Sequence, residues 1–510
     1  MPPEAVERLA RRAPGWRRED GGCPACVQHL LLELLLERGE DALHHGVQSI
    51  WPLDAEAAFG AIPTPLRVHA HPRYTGAGVT VALVDAAFFP HPDLTLPRNR
   101  IRAWADASRE PVRVLRFGPE ERPEWPGAGS GEAGQWHGLM TSAVAAGSGT
   151  LSHGLYRGLA PGAALVLVQV RDEAGRIGNA SIARALSWLR WEGRELEVRV
   201  VNLSLGGEAV TALSGNPVDE TVAALVRDGV SVVVAAGNDG ERRLVPPGTA
   251  PEALTVGGID DRNTFDHAER ALWHSNYGEA AGGAGKPELV APSLWVAAPI
   301  LPGSELEAEA RALFARRARG DATAEPRLRE LKMVTPDYQH VDGTSFAAPL
   351  VAGAVACMLE ARSGLSPRRI RELLARAAQP VPGAPRDRQG AGVLDAGRAV
   401  TLALADGPAE SAGEASPRLV EGAVEFWLRE GRARSVSVVG SWDGWRRPGL
   451  AAEEVEPGVW RASLPRPGKG RQEYKFLLDG RVWLADPANP ARAHDGQGAW
   501  NSVLANEGRR

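Results

Sequence analysis

The spacing of apolar and polar positions divides the chain into stretches of different character. From Val79 to about residue 402, short, largely apolar strand-like runs (Val79–Asp85, Leu165–Val170, Arg199–Leu205, Val230–Ala236, Leu254–Val256) alternate with longer helical patterns such as Ser181–Trp191 and Val218–Asp228. Such runs are the mark of strands buried on both faces, and their alternation with helices predicts an α/β domain: a parallel sheet in three layers, with helices on both faces. Beyond residue 419 the period shortens. Val424–Leu428, Ser435–Val439, Val459–Leu464, Glu473–Leu477 and Val482–Leu484 are short alternating runs separated by turns, which predicts a small immunoglobulin-like β-sandwich. Asp406–Pro417, rich in Ala, Gly, Glu, Ser and Pro, reads as a flexible connection. The predicted division is an N-terminal helical segment (1–70), an α/β domain (71–402), a linker (403–418) and a β-sandwich (419–510).

Two stretches stand outside this plan. Val27–Arg38 reads as an amphipathic helix packed against the α/β domain. Pro302–Asp337 is an insertion with charged helices over Glu305–Arg319 and Arg327–Met333, which fits a lid, a docking surface or a solvated excursion.

Composition narrows the function. With 510 residues, 44% of them hydrophobic, the chain can bury a large core, and a formal net charge of -5 gives no nucleic-acid footprint. The most apolar N-terminal stretch, Leu30–Leu36, is interrupted by Glu33 and falls well short of the roughly 20 residues that span a bilayer. No basic-then-apolar leader opens the chain, so a cytoplasmic protein without a membrane partner is expected. Three cysteines are too few for a disulfide framework. Cys23 and Cys26, with His29, His44 and His45 nearby, could form a zinc or redox pair, but a lone Cys-x-x-Cys is more often a structural pair of reduced thiols. No cofactor is required by the reading that follows.

The chemistry gathers around Asp342-Gly343-Thr344-Ser345, which opens a helix of small residues. A hydroxyl there sits where unpaired N–H groups and the helix dipole favour negative charge. A nucleophilic serine also needs a base, an acid to orient the base, and donors for the oxyanion. Asp85 ends a buried strand, His137 opens the segment running through Thr141-Ser142-Ala143, and Asn238 follows the apolar run ending at Gly237.

The order Asp85, His137, Ser345 is that of the subtilases, and the chain resembles that serine protease family over about residues 75–402. Further matching blocks are His91-Pro92-Asp93-Leu94, Gly158-Leu159-Ala160-Pro161, Asn202-Leu203-Ser204-Leu205-Gly206-Gly207, Ser275-Asn276-Tyr277-Gly278 and Lys286-Pro287-Glu288-Leu289-Val290-Ala291-Pro292. The resemblance implies a subtilisin-like endopeptidase acting on protein or peptide substrates through an acyl-enzyme. Ser345 is the implied nucleophile, His137 the base, Asp85 its orienting acid and Asn238 the oxyanion donor. Ser204, Leu205 and Gly206 with Ala235, Ala236 and Gly237 are implied to pair with the peptide, and Val245 to shorten the pocket for the residue preceding the scissile bond. Ile62-Pro63-Thr64-Pro65-Leu66 is aligned by analogy with an extension that lies in the cleft. Asp93 matches a calcium ligand of some members, while Ser148–Tyr156 lacks the asparagine-bearing loop that completes that site. The chain departs from the pattern after the acid, where Ala86-Ala87 lacks the usual hydroxyl, and after the histidine, where His137-Gly138 continues as Leu139-Met140-Thr141-Ser142-Ala143. These departures, and the missing propeptide pattern, leave open a catalytically weak scaffold that binds peptides and glucan or protein partners.

The C-terminal stretch resembles the glycogen-binding module of AMP-activated kinase β subunits and the isoamylase N-terminal domain, through Gly440-Ser441-Trp442-Asp443-Gly444-Trp445, Tyr474–Gly480, and Trp483 through Asp486-Pro487 to Asn501. That likeness implies an α-glucan platform of Trp445 and Trp483 with Lys475 and Asn501 bonding hydroxyls, with Trp442, Trp460 and Tyr474 in the core, and hence a tether to glycogen.

Overall fold

The apolar runs form the middle of a nine-stranded sheet. The computed structural model describes residues 24–38, 61–128, 134–191, 195–209, 215–280, 282–406, 416–420, 422–430, 433–456, 458–465, 470–486, 488–489, 491–494 and 500–506. The strands of the large sheet are β1 (Thr80–Asp85), β2 (Ile101–Asp106), β3 (Arg113–Arg116), β4 (Ala164–Gln169), β5 (Val198–Leu203), β6 (Ser231–Ala235) and β7 (Leu254–Asp260), completed by Leu289–Pro292 and Ala271–Leu272. Their order is 289–292, β7, β6, β5, β1, β4, β2, β3. All neighbours are parallel except β3 on β2 and 271–272 on β7. Every residue of β1 is buried because helices cover both faces of the sheet.

On one face the helix Thr344–Ala361 runs through the largest apolar cluster, beside Gln135–Ala146 and Ala396–Ala405. Among the described residues it is the one helix long and apolar enough to cross a membrane, and 83% of it is buried inside the protein. On the other face Asn179–Trp191 and Pro217–Arg227 cover a second cluster that includes Val84, Val168, Val201 and Val234.

Several expectations are corrected here. The helix Pro24–Arg38 is not amphipathic, since Val27, Leu30, Leu31, Leu32, Leu34 and Leu35 are all buried around its circumference. Its polar members are paired: Gln28 Nε2 donates to Leu155 O at 2.7 Å and its Oε1 accepts from Arg157, while Glu33 lies 3.2 Å from His29. Cys26 is exposed; Cys23, His44 and His45 lie outside the described residues. The Ile62–Leu66 segment is built into the body of the fold: Ile62 N donates to Asn263, and Arg67, buried with Asp261, makes a two-pronged ion pair at 2.6 and 2.8 Å. Arg67 also donates to Leu294 O and Trp295 O, and Thr64, Pro65 and Leu66 are buried. The helix Ala396–Ala405 and the strand Arg418–Val420, which pairs with Ala423–Arg429, bracket the expected linker, most of which (407–415) lies outside the described residues.

The insertion has a core of its own. It leaves from Val296–Pro299 and returns in Tyr338–Val341, which pair antiparallel, and its helices Glu305–Ala318 and Ala324–Glu330 enclose Ala310, Leu313, Leu328 and Met333 with Ile300. A solvated excursion would bury no such cluster.

The C-terminal strands form two antiparallel sheets of four and six strands. Both contribute to one cluster, with Val424, Phe426 and Trp460 from one and Val438, Tyr474 and Phe476 from the other. This part joins the α/β domain through Glu430, which is buried and accepts from Tyr74 Oη at 2.8 Å.

Candidate active site

Asp85 ends β1 in the middle of the sheet, at the carboxyl edge where α/β folds gather their ligands. His137 stands in the first turn of Gln135–Ala146. That helix can approach because Gly138 has no side chain: a Cβ there would lie 2.0 Å from Ala87 O. The imidazole Nδ1 is 2.7 Å from Asp85 Oδ1, with the carboxylate buried and the ring one-fifth exposed. Burial pulls the pKa of His137 down, but the charge of Asp85 and the hydrogen bond to it outweigh that, leaving it above the ordinary histidine value. The second carboxylate oxygen accepts from Thr141 Oγ1 at 2.8 Å, so the hydroxyl absent at Ala86 has a counterpart one turn along the histidine helix. Thr141 lies four residues after His137, a spacing that puts both on one helix face, and that signal was available in the sequence.

Ser345 stands two residues after Gly343, whose φ of 131° only glycine adopts freely. The serine hydroxyl donates to Ser204 O at 3.3 Å instead of to His137. A change of side-chain rotamer is what would turn it toward the imidazole. Ser204 in turn donates from its own Oγ to Ser345 O at 2.7 Å, and Asn202 Nδ2 holds that Oγ at 3.0 Å. Asn238 is exposed on its turn, with Oδ1 accepting from Thr344 N at 3.0 Å and from Thr344 Oγ1 at 2.8 Å. These bonds orient the amide so that Nδ2 is the atom nearest to where a Cβ on Gly343 would stand. Asn276 clamps the same turn by accepting from Asp239 N and Glu241 N.

The two predicted cleft walls flank this group. Ser204, Leu205 and Gly206 follow β5, and Ala235 ends β6 with Ala236 and Gly237 just beyond it, Gly237 N donating to Thr344 Oγ1 at 3.1 Å. Val245 lies against the first wall, its Cγ2 2.8 Å from where a Cβ on Gly206 would be. Asp93 is tied to other residues. Its carboxylate is buried, accepts from Tyr338 Oη at 2.8 Å, and is pushed up to about 6 by that burial. Among the described residues no group of three or more His, Cys, Asp or Glu is placed to hold a metal ion.

In the C-terminal part, Trp445 and Trp483 come together edge to face with ring centroids 6.3 Å apart, and Arg447 stacks over Trp483. Lys475 is half-buried in the neighbouring strand. Asn501 is not free for a ligand, being buried with its Nδ2 donating to Glu473 Oε2 at 2.8 Å. Trp460 and Tyr474 are core residues, as expected, and Trp442 packs partly buried against that core.

Comparison with known proteins covers the α/β domain. The profile of the subtilase family, peptidase S8, matches residues 76–392. The chain belongs to this family. Serine protease AprX of Bacillus subtilis is 29% identical over 59% of this chain, which spans 61% of AprX. Subtilisin BL of Lederbergia lenta is also 29% identical, with 59% of this chain matched to 83% of that protein. Mycosin-1 of Mycobacterium tuberculosis is 30% identical, with 67% of this chain matched to 73% of that protein.

Proposed function

We propose that this subtilase is an active serine endopeptidase. The observation that carries the reading is the pairing of a buried Asp85 with His137 on the same sheet edge as Ser345 and Asn238. His137, kept as a base by Asp85, takes the proton of Ser345 Oγ as that oxygen attacks the peptide carbonyl, then returns it to the leaving amine. The Asn238 amide and the Ser345 backbone N–H stabilise the oxyanion. The extended segments 204–206 and 235–237 supply backbone groups with which a peptide can pair as an added strand. No metal or cofactor enters these steps. The presence of Asp85, His137, Ser345 and Asn238 together favours this reading over a catalytically weak scaffold. The test is labelling of the purified full-length chain with a fluorophosphonate: an adduct on Ser345, absent in Ser345→Ala, supports it, and an unlabelled wild-type chain refutes it.

For the C-terminal part we propose an immunoglobulin-like sandwich that binds an α-glucan through Trp445 and Trp483. Their adjacent rings offer apolar faces to sugar C–H groups. Asn501, committed to Glu473, takes no part, and the strand of Trp483 packs beside the Pro24–Arg38 helix, which narrows the free surface. Retardation of the full chain in a glycogen-containing native gel, lost in Trp483→Ala, tests this. Equal mobility with and without glycogen rejects it and leaves the module as a structural one. We propose a cytoplasmic location, which fractionation of the producing cells tests.

A further inference from the structure

The oxygens of Asp85 are not held alike. Oδ1 accepts from His137 Nδ1 and from Ala86 N, both at 2.7 Å. Oδ2 accepts from Thr141 Oγ1 at 2.8 Å, its one donor among the described residues. Asp85 and Thr141 are 1% and 0% exposed, so water does not readily replace that donor. A threonine hydroxyl in a helix usually bonds the carbonyl one turn back. Here Gly138 O lies 3.2 Å from Thr141 Oγ1, but it already accepts Ser142 Oγ at 2.6 Å. The single Thr141 proton is thereby left for the carboxylate, the shorter and charge-assisted contact. Carboxylate torsions are broad, so an Asp85 held only at Oδ1 could swing about its Cβ–Cγ bond and lose its alignment with the imidazole.

We propose that Thr141 is a positioning residue of the proteolytic reaction, fixing the Asp85 carboxylate so that it presents Oδ1 to His137, a task for which residue 86, an alanine, has no hydroxyl. Helix residues Thr141 and Ser142 act together, with Ser142 satisfying the competing carbonyl. The inference rests on the endopeptidase reading, and the experiment separates the two.

Wild type, Thr141→Val, Thr141→Ser and Thr141→Ala are titrated with a fluorophosphonate to count competent sites. Then kcat and KM are measured per labelled site on a peptide substrate. The expected result for Thr141→Val is kcat lower by about tenfold with KM unchanged, the factor for losing one charge-assisted hydrogen bond to a buried carboxylate. Thr141→Ser, which keeps the hydroxyl, should recover kcat to within about threefold of wild type. A purely structural role would reduce the number of labelled sites and the melting temperature while leaving kcat per site unchanged. If Thr141→Val does not fold, Thr141→Ala against Thr141→Ser gives the same comparison. Equal kcat per site in the wild type and in the variants without a hydroxyl overturns the inference, as does equal impairment of Thr141→Ser. A wild type that does not label defeats the endopeptidase reading itself.

Discussion

Substituting Asn238 by Asp and by Ala separates two jobs done by one side chain. The Oδ1 atom is structural, since it accepts from both the N–H and the hydroxyl of buried Thr344, one residue before the nucleophile. The Nδ2 atom is the nearer of the two to the turn at Gly343 and, on the endopeptidase reading, is the donor for the oxyanion. Asn238→Ala removes both functions. Leaving the Thr344 donors unpaired costs about 1–3 kcal/mol of stability. Losing the oxyanion donor costs about 10²- to 10³-fold in kcat. Asn238→Asp keeps the acceptor, so its melting temperature should stay near wild type, yet it places a negative charge where negative charge develops. Its kcat should fall at least as far as that of the alanine variant, with KM little changed because the donor acts mainly in the transition state. The assay is kcat and KM per fluorophosphonate-titrated site on a chromogenic peptide, alongside thermal unfolding. If Asn238→Asp retained a third or more of wild-type kcat, Asn238 would have no role in oxyanion stabilisation and the donor would have to be sought elsewhere.

Other consequences can be measured on the same preparations. Because Asp85 holds the His137 pKa above its ordinary value, activity should be lost as pH falls through a point above about 6.5, and Asp85→Asn should move that limb of the kcat/KM profile to lower pH, since burial then acts alone. The same raised pKa contributes stability below the unfolded-state value, and that contribution fades as pH rises through the folded-state value; urea unfolding of Ser345→Ala over this range reads it. Arg67→Met should cost about 3–5 kcal/mol of unfolding free energy by stranding buried Asp261, and Arg67→Met/Asp261→Leu should recover much of it, read by denaturant melts. Val245→Gly should raise kcat/KM for peptides with a large residue before the scissile bond, whereas Gly206→Ala should lower it for all of them because its Cβ meets Val245.

The sequence points to the candidate reacting groups more readily than to the groups that hold them. Central strands such as β1 and β6 were legible because burial on both faces leaves runs of Val, Ala and Leu with no alternation. β2 was not, because Arg102 and Asp106 break its pattern, yet Arg102 turns out toward Leu196 O and the strand still pairs with β4. The helix Pro24–Arg38 was misread for the opposite reason: Gln28 and Glu33 look like a solvent face until Arg157, Leu155 O and His29 are in place. Distant partners likewise decide the readings in the C-terminal part, where Asn501 counts as a candidate ligand by motif and is taken up by Glu473 in space. In the active site, Ala86 was readable as a loss because it adjoins Asp85. The compensating Thr141 is 56 residues away from that carboxylate in the chain, and only the packing of the histidine helix on Ala87 brings it there. A missing polar group next to a catalytic residue is therefore weak evidence against activity until the face of every helix that contacts that residue has been searched for a replacement.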